Sequence, residues 1–353
     1  MTRSSDRPRV VTIGGGHGQA VVLHALRNLD CEISAVVATA DDGGCSGELR
    51  REFDMPSPGD LRRCLSALAL DEELTLLLED RISGNIGIPR CRGNLVIAER
   101  YLQYGNLQRA VDWVADRLGS VGRVMPASEE PGTLVVCDRL KGFVEGELNV
   151  AKTVGSPLVV TVTGAYQPND AALLAIDEAD VIVMGPGSFC TSTLSALLTG
   201  GVGAAVCRSA ARRLLVLNVA NREGPCAGYR ECDYISVLAS HLTICSLGET
   251  PEFAVLRHAS CEGEEQLDGT TVFSADIAAD DGAHHCADRL ALALGRVMGL
   301  CARTGQEEPL VPDPGAIRSE LEQALAQAND FLEVQRAQRD GASHFRHHGP
   351  HHQ

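Results

Sequence analysis

Short apolar runs alternate along this chain with amphipathic stretches of helical period. Val10-Val11-Thr12-Ile13 reads as a first strand, closed by Gly14-Gly15-Gly16, and positions 19–29 place Val22, Leu23, Leu26 and Leu29 on one helical face. Positions 33–40, rich in β-branched and small residues, predict a second strand. Helical period returns over 60–78 and 94–118, so a helical insertion is expected in the first half. The second half resumes the alternation, with strands at 158–162, 180–184 and 214–218 and helices at 171–178 and 191–198. Near-continuous apolar strands separated by helices predict an α/β fold: a Rossmann-like, doubly wound, mainly parallel sheet with helices on both faces. Ligands bind such sheets beyond the carboxyl ends of the strands, which turns attention to the strand-to-helix loops. From 313 onward the pattern changes. A C-terminal helix is expected over 313–340, with Ile317, Leu321, Leu325 and Leu332 at helical spacing, and a His-rich disordered tail over 341–353. Residues 1–8 are polar and are expected to be a disordered N-terminus, which leaves 9–312 as one α/β domain.

Four loops carry candidate chemistry. The first is Gly14-Gly15-Gly16-His17-Gly18-Gln19. Its glycines allow a phosphate to approach the backbone, and the helix start behind them adds N–H groups and a positive dipole end. It is not a Walker A loop, because no Gly-Lys-Ser/Thr follows, and Gln19 stands where a dinucleotide fingerprint has its third glycine. The second is Asp41-Asp42-Gly43-Gly44-Cys45-Ser46-Gly47. Asp41 fits an NAD ribose ligand, but two adjacent carboxylates before a Gly/Ser nest suit Mg²⁺ with phosphate oxygens; Asp-Asp-Gly-Gly is also simply a good turn.

The third loop, Pro58-Gly59-Asp60-Leu61-Arg62-Arg63, makes Asp60 a natural N-cap. Arg62 and Arg63 oppose the helix dipole there, a placement that makes better sense beside an anionic ligand. The fourth, Gly185-Pro186-Gly187-Ser188-Phe189-Cys190-Thr191-Ser192, offers backbone N–H groups and hydroxyls as a second anion cradle, with an N-cap at Thr191 or Ser192 as the plain alternative. Asn94 at a helix start and Asn218 at a strand end either cap or face the ligand. His284-His285-Cys286 reads as the opening of an amphipathic helix with Leu290, Leu294, Val297 and Cys301 inward. Two glycine-rich anion loops with a carboxylate pair between them point to a ligand with two phosphates.

Composition narrows the classes. The chain has 353 residues and a net charge of -16, which argues against a nucleic-acid partner. Lys141 and Lys152 are the only lysines, and neither lies in a glycine-rich loop, so Schiff-base and P-loop lysine chemistry are not expected. Thirteen cysteines, an odd number without a Cys-x-x-Cys pair, are expected to be buried small hydrophobes in a reducing compartment. No apolar run approaches the ~18 residues that span a bilayer. A cytoplasmic protein without membrane insertion is expected, with a homo-oligomer as the default assembly.

In order, Gly14-Gly15-Gly16-His17-Gly18, Thr39-Ala40-Asp41-Asp42-Gly43-Gly44, Pro58-Gly59-Asp60-Leu61-Arg62, Gly93-Asn94-Leu95, Gly122-Arg123-Val124-Met125-Pro126 and Gly185-Pro186-Gly187-Ser188 with Thr191-Ser192 resemble the gluconeogenesis-factor (YvcK-type) family. These proteins are relatives of the CofD-like 2-phospho-L-lactate transferases. The resemblance covers roughly residues 8 to 315. It implies a nucleotide-diphosphate-linked small-molecule ligand: a UDP-sugar in the YvcK-type branch, with roles in growth on gluconeogenic carbon sources and in cell shape, or a guanosine diphosphate-linked lactate in the transferase branch, where Mg²⁺ assists. Gly15, Gly16, His17 and Gly18 would then hold phosphate, with Gly44, Ser46, Asp60, Arg62, Asn94 and Asn218 around it. Gly185, Gly187, Ser188 and Thr191 would take the second anion or the sugar. Asp41 and Asp42 would hold Mg²⁺ and, in a transferase, act catalytically; no NAD or flavin prosthetic group is expected. The chain departs from the family at Cys45, usually Ser, in the stretch 84–92, and after Asn218, where Glu223-Gly224-Pro225-Cys226 replaces a Gly-Glu-Thr step.

Overall fold

The computed structural model describes residues 7–82, 89–153, 157–220, 224–260, 263–303, 318–328 and 330. Residues 1–6, the expected His-rich tail, residues 84–88, Glu223, Ile317 and Leu332 lie outside these; Arg7 and Pro8, expected in a disordered N-terminus, are instead held by the Arg7–Asp30 ion pair at 2.8 Å and by the Glu32 N–H, which the Pro8 carbonyl accepts at 2.8 Å.

The chain opens with β1 (Arg9–Gly14), α1 (Gly16–Leu26) and β2 (Glu32–Val37), the two strands parallel and in direct register. The helical insertion follows as α2 (Gly44–Phe53), α3 (Gly59–Leu68), α4 (Glu72–Glu79), a two-residue ribbon of β3 (Arg81–Ile82) with β4 (Arg90–Cys91), α5 (Arg92–Tyr104) and α6 (Leu107–Arg117). Each of the two long helices expected here is in fact a pair. Ala69 turns extended (φ -69°, ψ 143°) and Asp71 starts α4 by accepting the Leu74 N–H at 2.9 Å. Gly105 adopts a left-handed φ of 62° that ends α5, and Asn106 caps α6 by accepting the Arg109 N–H at 2.8 Å. Hydrophobic period carries straight across such breaks because both helices face the same core, so only the capping residues mark them.

After β5 (Gly122–Pro126) come β6 (Thr133–Asp138), β7 (Gly142–Glu145), α7 (Glu147–Ala151) and β8 (Pro157–Thr163). The strand expected at 158–162 in the parallel sheet is β8, but it pairs antiparallel with β6 in a separate sheet of order β7-β6-β8. Its register explains the difference: Val160 and Val162 are buried whereas Val159 is 46% exposed, the one-faced alternation of an antiparallel layer. The rest of the chain is α8 (Asp170–Asp177), β9 (Val181–Met184), a π-helical turn (Phe189–Leu194) running into α9 (Ser195–Leu197), α10 (Val202–Arg208), β10 (Arg212–Val216), α11 (Glu231–Ser246), β11 (Ala254–His258), β12 (Gly263–Leu267), β13 (Thr270–Ala275) and α12 (Ala287–Met298).

The main sheet has the order β12-β13-β11-β10-β9-β1-β2-β5, and only β12 with β13 is antiparallel. Successive side chains alternate between two cores. Val10, Val181, Val183, Leu214 and Val216 join α1, α3, α5, α6 and α12, whereas Val11, Ile13, Ile182, Met184 and Leu215 join the small sheet and α8 to α11. Each such fully buried aliphatic contributes roughly 1.5–3 kcal/mol. The described part of the C-terminal helix covers the first core with Leu321, Ala324, Leu325 and Ala328, and Arg318 pairs with Asp71 at 2.7 Å. Cys301, expected inward, is exposed beyond the end of α12. No single helix among the described residues is long and apolar enough to cross a membrane.

The chain runs outward from β1 through β2 to β5 and then returns to lay β9, β10, β11 and β13 on the other side. The order therefore reverses between β1 and β9, the position at which doubly wound sheets bind ligands.

Candidate functional site

The loops after β1 and β9 are the two glycine-rich loops, and the switch point presses them together. A β-carbon on Gly18 would lie 2.4 Å from the Pro186 carbonyl oxygen and 2.5 Å from Gly187 Cα, so only glycine fits this crossing. Asn218, at the end of β10, fixes the second loop from behind. Its Nδ2 donates to the Gly187 carbonyl at 2.8 Å and its Oδ1 accepts the Gly187 N–H at 2.9 Å. Ser188 caps the π-helical turn by accepting the Thr191 N–H at 3.4 Å, so the cap lies earlier than Thr191 or Ser192. Gln19, in place of a third glycine, is fully buried. Its Nε2 donates to Thr12 Oγ1 at 3.0 Å and to the Val36 carbonyl at 3.1 Å, riveting α1 to β1 and β2.

Between the loops lies a group of acids. Asp41, Asp42 and Glu147 place carboxylate oxygens within 4.8 Å of one another, all half-buried. Asp41 Oδ1 accepts the Gly43 N–H at 2.8 Å, and Asp42 Oδ1 accepts the Leu148 N–H at 2.9 Å, so the first turn of α7 is tied to the loop after β2. Burial, reinforced by a hydrogen bond with Asp41 and by the charges of Asp41 and Asp60, pushes the Glu147 carboxyl up to about 8, against a pull from the Thr191 hydroxyl. Asp60 is a buried fourth acid. Burial and then Asp41 raise it to about 6, opposed by Arg63 at 3.1 Å and by the Gly16 N–H that it accepts.

Glu147 was not among the residues singled out from sequence, and it is the third member of the cluster. Arg63, rather than Arg62, faces this crevice. Arg62 is 3% exposed and turns away to Glu79 at 3.3 Å and to Cys91. Asn94 and Ser46 are buried behind the Asp41 loop, where Asn94 Nδ2 donates to Ser46 Oγ at 3.4 Å. His17 and Gly44 are exposed at the rim, and partial burial, then the charge of Arg63, hold His17 below its usual value. His285 sits at the end of β10 with Nε2 3.0 Å from the Leu217 carbonyl, while His284 pairs with Asp281 at 2.6 Å.

The cluster suits a hard divalent cation. Its donors are all oxygens, it is partly enclosed, and burial beside Asp41 and Asp60 leaves the negative charge of Glu147 without compensation. Two carboxylates at such separations repel by about 3–4 kcal/mol at an effective dielectric near 20. Folded-state values raised for Asp60 and Glu147 mean that the stability these groups contribute at low pH is lost as pH rises through about 6 and then about 8. In a chelating buffer the melting temperature should therefore fall between pH 5.5 and 8.5, and Mg²⁺ should raise it more at pH 8.5 than at pH 5.5. An equal Mg²⁺ effect at both values would contradict this reading of the cluster.

Comparison with known proteins agrees with this architecture. The family profile described as 2-phospho-L-lactate transferase CofD matches residues 10–285. A Thermotoga maritima protein named "Putative gluconeogenesis factor" is 36% identical over 236 residues, which cover 66% of this chain and 75% of that protein. A "Gluconeogenesis factor" of Halalkalibacterium halodurans is 34% identical over 254 residues, covering 70% and 77%. The crystal structure of a UPF0052 family member from Bacillus halodurans superposes with a TM-score of 0.73 at 30% identity, over 82% of this chain and 99% of that one. With the profile spanning most of the α/β body and relatives of this identity on the same branch, the chain belongs to the CofD family, among its gluconeogenesis-factor (YvcK-type) members.

Proposed function

We propose that this protein binds a nucleotide-diphosphate-linked small molecule of the UDP-sugar type at the β1/β9 switch point, and that it acts in the cytoplasm, as a homo-oligomer, in growth on gluconeogenic carbon sources and in control of cell shape. The observation that carries the proposal is the direct packing of the two glycine-rich loops beside the Asp41, Asp42 and Glu147 cluster, which reaches the first loop through Asp60 and the second through the Glu147–Thr191 hydrogen bond. The Gly15–Gly18 loop would hold one phosphate, and the Gly187/Ser188/Thr191 loop the second phosphate or the sugar, with the Gly16 N–H engaged by Asp60 and the Gly187 N–H by Asn218. Asp41, Asp42 and Glu147 would hold Mg²⁺, which when bound supplies the positive charge that a diphosphate needs beside four acids. Asn218 keeps the second loop in place, and Arg63 and His17 stand at the crevice edge. Against a nicotinamide dinucleotide, the third-glycine position holds the buried Gln19, and Asp41 is bonded to Gly43 and Glu147. A thermal-shift panel of UDP-sugars, GDP and NAD, each with and without Mg²⁺, tests the proposal. Stabilisation by a UDP-sugar with Mg²⁺ supports it, and stabilisation by NAD alone defeats it.

One observation favours a second reading, Mg²⁺-dependent transfer of a phospholactyl-type group to an acceptor. Glu147 completes a three-carboxylate set with the Thr191 hydroxyl beside it, as an enzyme of phosphate chemistry would require. Under that reading Asp41→Asn and Asp42→Asn abolish turnover and leave nucleotide affinity nearly intact. Absence of turnover in the wild type with any acceptor would favour the binding role.

A further inference from the structure

The high cysteine count is not absorbed by the ligand site, and two of these thiols meet. Cys190 Sγ, in the π-helical turn after the second anion loop, lies 3.4 Å from Cys226 Sγ, in the segment after β10. They are 36 positions apart in sequence. Both are buried, Cys190 completely and Cys226 to 5% exposure. The same two segments are already joined once, by the paired Asn218–Gly187 hydrogen bonds. Phe189, next to Cys190, and Tyr229 pack edge-on against Tyr234, with ring centroids 5.0 and 5.3 Å away.

We propose that Cys190 and Cys226 are a reversible disulfide-forming pair, oxidised by a hydroperoxide, whose bridge locks the second anion loop to the segment after β10. A disulfide needs the sulfurs about 2.05 Å apart, so each has to move by less than about 1 Å. Cys226, the more accessible of the two, is the attacking group. Its thiolate takes the terminal oxygen of the hydroperoxide, the O–O bond breaks, and the departing oxygen leaves as water or an alcohol after taking up a proton. The resulting Cys226 sulfenic acid is then attacked by the Cys190 sulfur. The S–O bond breaks, water leaves with the Cys190 proton, and two electrons in all have passed from the thiols to the peroxide. The exposed Cys301 has no such neighbour among its described contacts and serves as the internal comparison.

The test treats the full-length protein with limiting hydrogen peroxide, blocks the remaining thiols, and maps peptides without reduction. The expected result is a Cys190–Cys226 cross-linked peptide pair lighter by two hydrogens, formed with a rise of roughly 5 °C or more in melting temperature that dithiothreitol reverses. Cys190→Ala and Cys226→Ala should each abolish both effects. Oxidation of Cys301 without the 190–226 link, a link with no thermal shift, or a reversible shift that persists in either variant would overturn the proposal. If the variants do not fold, the peptide map and the reversible melting shift of the wild type decide together.

Discussion

Gly18→Ala is expected to reduce UDP-sugar affinity by at least about 100-fold. The added methyl would sit 2.4 Å from the Pro186 oxygen and 2.6 Å from the Gly187 nitrogen, closer than any side chain tolerates, so the two loops must part. The neighbouring atoms are backbone and have no rotamer with which to yield. The separation would displace the donors of both cradles from a shared ligand, and losing two hydrogen bonds to a charged phosphate at roughly 1.5–3 kcal/mol each corresponds to about 100-fold or more in affinity. The fold itself should survive with a loss of about 1–3 kcal/mol, the usual cost of overpacking. Isothermal titration checks the affinity and urea unfolding the stability. Wild-type affinity in a folded Gly18→Ala protein would show that the two loops do not act on one ligand.

Glu147→Gln should have the second large effect, and with opposite signs on two measurements. Removing one of three crowded carboxylates relieves repulsion, so the metal-free protein should melt at a higher temperature than wild type at pH 8.5, where Glu147 is otherwise deprotonated. The same change removes a cation ligand, so the rise in melting temperature on adding Mg²⁺ should shrink to near zero. A merely structural role for Glu147 would lower stability in both conditions. Differential scanning calorimetry in chelator and in Mg²⁺ distinguishes these outcomes, and a Mg²⁺ response equal to wild type would remove Glu147 from the cation site.

The α/β class was legible because both faces of the main sheet are covered, which makes its strands nearly continuous apolar runs such as Val181–Met184. The same simplicity misplaced β8: an apolar run with two exposed residues looks like a parallel strand until its partners are known. The loops Gly14–Gly18 and Gly185–Ser188 were identified from their glycines, and their mutual contact follows from a sheet order that no local pattern encodes. Glu147 was invisible for a similar reason. It comes from a five-residue helix after the hairpin of β6 and β7, and reaches Asp41 only through tertiary packing. The one available sign was Gly146, whose left-handed φ of 86° brings it against Asp42: a β-carbon there would lie 2.5 Å from Asp42 Oδ2. Arg62 and Arg63 are adjacent on one helical turn, and sequence alone does not say which enters the core. Burial among Leu78, Cys91 and Gly93 chose Arg62, leaving Arg63 to Asp60.

Cation and diphosphate are expected to bind together at the switch point. The most direct test is a titration of the wild-type protein with a UDP-sugar at pH 8, once in millimolar Mg²⁺ and once in chelator. Binding in Mg²⁺ should be saturable at one site and weaken at least about 10-fold in chelator, because the ligand's charge then meets Asp41, Asp42, Asp60 and Glu147 without a counter-ion. Equal affinity in both buffers, or no binding of the UDP-sugar while NAD binds, would contradict this joint binding.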